Sequence, residues 1–140
     1  MFSAIIKQVI RYYYYLKKED ASDQILIYLM YFVQKYYVVE YGTLLFSDTF
    51  YVDDENKLCI RKGFDDYCNC KLDLQTSASI SRTVYMFYSY DEWYLNHLIL
   101  NEESTQKAIK LKQDIDYDLF INEAQKIMLE NNEYYDEIYY

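Results

Sequence analysis

The sequence predicts a mainly α-helical single domain with one small β-hairpin insertion near residues 49–61. The 140 residues contain 2 glycines and no proline, so the Gly/Pro-rich turns of a sandwich or barrel are missing. Apolar residues make up 52% of the chain, which is enough to bury a core. Over most of the chain these residues recur at helical spacing. With so few glycines, neither a dinucleotide-binding fingerprint nor a phosphate-binding loop can be present.

The first part of the chain predicts two helices. Residues 3–18 carry apolar side chains on one helical face, with Ser3 as the N-cap. A second helix begins after Ser22 and runs to about Tyr41, and Gly42 stands where a left-handed C-cap residue belongs. Because this second helix is apolar nearly all round, we expect it to form the buried centre of the domain.

Residues 44–63 have a different pattern. Two short β-prone runs, 49–52 and 58–60, flank the polar turn 53–57. This arrangement predicts a β-hairpin, which Gly63 closes.

Five shorter helical segments follow the hairpin, predicted from the returning helical period and from capping residues. They are a turn around 64–70, a helix near 80–88 capped by Ser77 or Ser79, a helix after Asp91 with Trp93 and Tyr94 on its apolar face, a helix at 105–113 capped by Ser104, and a final helix from Asp116 to about Glu130. We expect the domain to cover residues 1–132 and an acidic, Tyr-rich tail to cover 133–140.

The charge is unevenly distributed along the chain, which has a net charge of −9. Residues 19–140 carry 10 basic residues against all 23 acidic ones, which gives −13. A body this negative repels nucleic acid and favours basic partners. Residues 1–18 carry no acid and four bases beside Tyr12–Tyr15. Such a pattern can bind single-stranded nucleic acid. The favoured interpretation is instead a solvated helix face that pairs with the acidic body. The four bases are Lys7, Arg11, Lys17 and Lys18.

No catalytic or metal-binding pattern stands out. Cys59, Cys68, Cys70 and His97 could nominally supply four soft ligands, but the close ligand pairs of structural zinc sites are missing. Nucleophilic catalysis would need His97 as its base, and a hydrogen-bonded structural histidine is the favoured interpretation. We therefore expect no enzyme, no cofactor and no metal.

The sequence also predicts the compartment. The first residues contain no apolar signal region, and the longest apolar run, Ile25–Val33, is too short to span a membrane. Three cysteines are an odd number for a disulfide framework. We therefore expect a soluble protein of the reducing cytoplasm without membrane association.

Acidic segments beside tyrosines are the most suggestive surface feature. Tyrosine provides a large contact area at a low entropy cost, and neighbouring acids suit a positively charged protein surface, including one that normally holds nucleic acid. An AT-rich genome produces a similar composition, so both explanations stay open. Exposed tyrosines also allow a homodimer. The candidate contact residues for a partner protein are Tyr12, Tyr13, Asp53, Asp54, Glu55, Tyr134 and Tyr135.

A stretch within Gln24–Val52 carries a resemblance to a known family. Its pattern is an apolar helix followed by short aromatic motifs, namely Tyr31-Phe32-Val33-Gln34, Tyr41-Gly42, Leu45-Phe46 and Asp48-Thr49-Phe50. This stretch resembles the opening of the Panacea domain of antitoxins and of related phage and mobile-element proteins, and Leu95-Asn96-His97 is similar to a later family motif. The family continues with a Trp, where this chain has Asp53, and with a Gly-Pro pair, which this chain lacks.

The resemblance implies a mainly helical, non-enzymatic protein from a phage or mobile element. Such a protein would be antitoxin-like, neutralising a partner by direct stoichiometric binding. The alternative follows from the acidic body, and is an anti-CRISPR-like inhibitor of a host defence nuclease. In that case an acidic, Tyr-rich surface would occupy a basic nucleic-acid-binding site.

Overall fold

The computed structural model describes residues 2–61 and 71–139, with side chains described as far as Glu130. It confirms a mainly helical fold with one small hairpin. The predicted helical turn at 64–70, Gly63, Cys68 and Cys70 lie outside the described residues. The elements in chain order are α1 (Phe2–Lys17), α2 (Asp23–Tyr41), β1 (Thr49–Val52), β2 (Leu58–Arg61), α3 (Leu74–Phe87), α4 (Glu92–Leu100), α5 (Glu103–Leu111) and α6 (Tyr117–Tyr139).

Helix α2 is the centre of the domain, as its apolar sequence predicts. Helices α1, α3, α4 and α6 and strand β2 all pack against it. Both predicted caps are confirmed. The Ser22 hydroxyl accepts a hydrogen bond from the backbone N–H of Ile25, and Gly42 ends the helix with a φ of 74°.

The buried side chain of Gln34 fixes the path of the chain after α2. Its amide nitrogen donates to the carbonyl oxygen of Phe46 at 2.7 Å, and its amide oxygen accepts from the backbone N–H of Leu45 at 2.8 Å. A buried amide needs such partners, because leaving it unpaired costs free energy. The loop that leads into β1 is therefore tied to the middle of α2.

Strands β1 and β2 form the predicted antiparallel hairpin, with Val52 opposite Leu58 at its closed end. The Asp53 carboxylate accepts hydrogen bonds from the backbone N–H groups of Glu55 and Lys57, both at 2.9 Å. Asn56 provides the positive φ that the turn requires, 59°. The Asp53 carboxylate and the positive φ of Asn56 therefore form this turn without a glycine.

Three predicted caps are wrong. Helix α1 begins at Phe2, so Ser3 lies inside it. Helix α3 begins at Leu74, where the Asp73 carboxylate accepts from the N–H of Thr76. Ser77 and Ser79 are therefore interior residues of α3. Ser104 lies buried in α5 and does not cap it, because its hydroxyl instead donates to the Glu123 carboxylate.

Helix α6 is longer than predicted. Asp116 opens it as expected, and its carboxylate accepts from the N–H of Asp118 at 2.8 Å. The backbone then stays helical to Tyr139, past the predicted end near Glu130. Residues 133–139, which the sequence predicts as a tail, therefore form the last turns of this helix.

Among the described helices, α6 included, none combines the length and the apolar character needed to cross a membrane.

Replacing Gly42 with alanine tests the C-cap of α2. A Cβ at this position would meet no atom within 4 Å, so the change acts only through the positive φ. We expect Gly42→Ala to lower the free energy of unfolding by about 1 kcal/mol, measured by urea denaturation. Gly42→Asn is the matched control and should cost less, because asparagine tolerates this conformation better. Equal losses in both variants would contradict this explanation.

Candidate protein-binding surface

The aromatic contact residues predicted in α1 differ in exposure. Tyr13 is only 3% exposed and packs in the core, so it is not available to a partner in this structure. Tyr12 is half-buried and stacks on Tyr15, with ring centroids 5.9 Å apart. Tyr134 and Tyr135 lie on the helical backbone of α6, but their side chains are outside the described part of the chain.

The three acidic contact residues in the hairpin turn have two different roles. The backbone N–H of Lys57, together with that of Glu55, holds the pKa of Asp53 below its usual value. The Asp53 carboxylate therefore serves the turn itself. Asp54 and Glu55 are exposed, so two of the three predicted carboxylates are free to meet a partner.

Helix α4 lies next to this turn. The Asn96 side chain donates to the carbonyl oxygen of Asn56 at 3.4 Å, and the Ser22 hydroxyl donates to the Glu92 carboxylate. The first contact joins α4 to the hairpin turn, and the second joins the start of α4 to the start of α2. The exposed acids of the turn and the outer face of α4 consequently belong to one region of the surface.

The outer face of α4 carries an exposed tryptophan. Trp93 is 72% exposed and Tyr94 is also exposed, so the prediction that both face the core is wrong. Helix α4 instead buries Leu95 and Ile99. Position 93 lies on the opposite side of the helix from Leu95, because successive residues are about 100° apart. The Trp93 ring stacks on that of His97, with centroids 5.3 Å apart.

We call Asp54, Glu55, Glu92, Trp93 and Tyr94 the acidic–aromatic surface. The hairpin turn 53–57 has three acids against Lys57, and the start of α4 adds two more acids without a base. Sequence reasoning finds the turn acids but misses Trp93, whose apolar character indicated the core. The sequence did contain a signal for the exposure of Trp93. Leu95 and Ile99, four residues apart, already supply the buried face of α4, and position 93 lies outside that face.

A groove with a volume of about 480 Å³ borders the hairpin turn. The Arg61 guanidinium lies 3.2 Å from the Asp114 carboxylate and stacks over the Tyr51 ring. The Thr49 hydroxyl donates to the same carboxylate at 2.9 Å. These contacts hold the hairpin against the loop before α6, and they neutralise Arg61 and Asp114 in the wall of the groove.

A buried ionic cluster joins three parts of the fold. The side chain of Lys35 is 1% exposed, and its Nζ lies 3.0 Å from the Glu123 carboxylate and 3.6 Å from that of Glu102. The same Nζ sits 4.1 Å from the centroid of the Phe120 ring. Ser104 donates its hydroxyl and its backbone N–H to Glu123. Sequence reasoning missed this cluster, since its members lie far apart in the chain.

The two carboxylates of this cluster have opposite pKa shifts. Burial raises the pKa of Glu102, and the neighbouring Glu123 charge adds to this effect against the attraction of Lys35. Burial also acts to raise the pKa of Glu123, but the hydrogen bonds from Ser104 and the charge of Lys35 outweigh it and lower that pKa. Glu123, which also lies closer to the Lys35 ammonium group, is therefore the carboxylate whose charged form this cluster favours.

The remaining candidate ligands and nucleophiles that the structure describes are His97 and Cys59. Within the described ranges, no group of three or more His, Cys, Asp or Glu residues is arranged to hold a metal ion. His97 is exposed and contacts Asn101 through Nε2 at 3.1 Å. Cys59 is half-buried in β2, where burial, followed by the charge of Asp53, raises the pKa of its thiol.

No protein-family model, curated protein or solved structure matches this chain. The resemblance to the Panacea domain therefore stays a prediction. Tyr31, Phe32, Val33 and Gln34, its central motif, are all buried in α2. Its other residues include Gly42, the C-cap of α2, and Leu45 and Phe46, the buried pair that binds Gln34. In this chain these residues therefore serve the packing of α2, its C-cap and the path of the loop that follows it.

The opposite shifts of Glu102 and Glu123 predict opposite pH dependences of stability. The raised pKa of Glu102 costs stability at neutral pH, and this cost disappears as the pH falls toward the usual value of 4.5. The stabilisation by Glu123 is present above 4.5 and is lost as the pH falls through its lowered pKa. We therefore expect Glu102→Gln to remove the relative gain in stability as the pH falls toward 4.5. We expect Glu123→Gln to remove the loss of stability at pH values below 4.5.

Urea denaturation at a series of pH values measures both effects. Each variant is compared with the wild type at the same pH, so the protonation of exposed carboxyl groups cancels. Asp118→Asn, which changes an exposed carboxylate at the start of α6, is the control. Parallel pH profiles for the two glutamine variants would contradict the assignment.

Proposed function

We propose that this chain is a non-enzymatic protein-binding module that inhibits a partner by direct stoichiometric binding, as antitoxins do. The observation that carries the proposal is the 72% exposure of Trp93 beside the acidic hairpin turn. An exposed indole is unfavourable in water, and Trp is the side chain most enriched at interface positions that carry binding energy. A site that buries Trp93 on binding accounts for its position.

The charges around Trp93 favour a partner with a basic surface. Glu92 adjoins Trp93 in the chain, Asp54 and Glu55 are exposed in the neighbouring hairpin turn, and the chain as a whole carries −9. Lysine and arginine side chains bind both carboxylates and aromatic faces. Charge complementarity also accelerates association at low salt. The acidic–aromatic surface therefore suits a partner with exposed Lys and Arg side chains.

The test begins with a tagged chain used to capture partners from a host that carries the native locus, washed at low and at high salt. A partner that stays bound at high salt and is encoded beside this gene supports the antitoxin-like function. A basic nucleic-acid-binding protein released by salt supports inhibition of a defence nuclease instead. Binding is then measured with the purified partner.

We expect Trp93→Ala to weaken binding of that partner by about 30-fold, the effect of losing a contact of about 2 kcal/mol. Leu111→Ala is the control, because Leu111 is also more than half exposed but lies on α5, outside the acidic–aromatic surface. Equal affinities of Trp93→Ala and the wild type would contradict the assignment of the surface.

Trp93 also provides a direct readout, because it is the chain's single tryptophan. Labelling with 5-fluorotryptophan gives one fluorine NMR signal from this chain, even when the partner contains tryptophan. We expect this signal to shift on addition of the partner as the indole leaves water. An unchanged signal in a saturated complex would place the interface elsewhere.

A further inference from the structure

Helix α1 presents an exposed face that combines positive charge with aromatic and aliphatic side chains. Lys7, Ile10, Tyr14 and Lys17 follow the spacing of one helical stripe, with Arg11 beside them. All five are exposed. The opposite side of α1 packs on α2 and α3 through Ile5, Val9 and Tyr13. As far as the structure describes the chain, the basic face therefore lies outside the packed side of α1.

The positive charge of this face is not neutralised within the described part of the chain. The ion pairs found there involve the cations of Lys35, Arg61, Arg82 and Lys107, and none of the four bases of residues 1–18. Lys18 instead lies over the Tyr15 ring, 5.0 Å from its centroid. The expected pairing of α1 with the acidic body is thus not found among the described residues.

The end of α6 has the complementary charge. Residues 130–139 contain four acids and no base, on a backbone that is helical to Tyr139. Positions 130, 133 and 137 hold glutamates at the spacing of one helical face, and position 134 on that face is a tyrosine. The earlier part of α6, with Phe120 and Ala124 buried, packs against α2 and α5.

We propose that two copies of this chain form a dimer in which the basic face of α1 in each copy binds the acidic end of α6 in the other. The charges match in number, with four bases on residues 1–18 and four acids on residues 130–139. The acidic stripe is short enough to lie along the basic one, because the two span about 10 Å and about 15 Å of helix. A two-fold axis makes this contact twice. The inference does not depend on the proposed function, since it uses neither Trp93 nor the hairpin turn.

The physical character of the interface predicts strong salt dependence. Exposed ion pairs contribute at most about 1 kcal/mol each, so the contact depends on several pairs together with Tyr14 and Ile10. Sedimentation of the wild-type chain at low salt should give a mass twice the chain mass of 17.2 kDa. In about 1 M salt, where the Debye length is about 3 Å, the mass should fall toward 17.2 kDa. A monomer at low salt over the whole concentration range would overturn the proposal.

Charge exchange between the two faces is the decisive experiment. One variant carries Lys7→Glu, Arg11→Glu and Lys17→Glu, and a second carries Glu130→Lys, Glu133→Lys and Glu137→Lys. Each variant alone should be monomeric at low salt, because its two faces now have the same sign. An equimolar mixture should form a heterodimer, because each α1 then meets an α6 end of opposite sign.

The matched control carries Lys71→Glu, Lys110→Glu and Lys112→Glu, three exposed bases outside α1. It changes the net charge as much as the α1 variant does, and it should remain a dimer. Circular dichroism checks that every variant keeps the wild-type helix content. A mixture that stays monomeric, or a control that dissociates like the α1 variant, would overturn the proposal. Persistence of the dimer in the α1 variant would do the same.

Discussion

The pairing of one buried ammonium group, that of Lys35, is the interaction on which the packing around α2 depends. An unpaired charge in a core is costly, so the position of Lys35 requires carboxylates from other elements. Glu123 of α6 provides the closer one and Glu102, at the start of α5, the second. Because Ser104 holds Glu123 in turn, this single cation fixes how α5 and α6 meet the central helix.

The same central helix also places the acidic–aromatic surface. Gln34, next to Lys35 in the chain, ties the loop before β1 to α2, and Gln24 at the start of α2 donates to the carbonyl oxygen of Leu58 in β2. Leu95 and Ile99 pack the inner side of α4 into the core. The hairpin turn and α4 are therefore neighbours because both are held by α2, and Trp93 is exposed because α4 needs its other side for packing.

The two proposed interaction surfaces differ in charge, which allows them to serve different partners. The acidic–aromatic surface combines carboxylates with an exposed indole, whereas α1 presents bases with Ile10 and Tyr14. Opposite faces of this kind reject each other's ligands by like-charge repulsion. The acidic–aromatic surface is therefore suited to a basic partner, whereas the basic face of α1 is suited to an acidic one.

The sequence by itself determined the helical class, the hairpin and the caps at Ser22, Gly42, Asp91 and Asp116, because these depend on apolar period and on side chains a few residues away. It also located the acids at 54 and 55. Only the tertiary structure decided that Tyr13 is buried and Trp93 exposed, that Ser104 binds Glu123, and that Lys35 is paired inside the core. The physical reason is that local hydrogen bonds and helical period are encoded over a few residues, whereas burial and ion pairing depend on which distant elements meet.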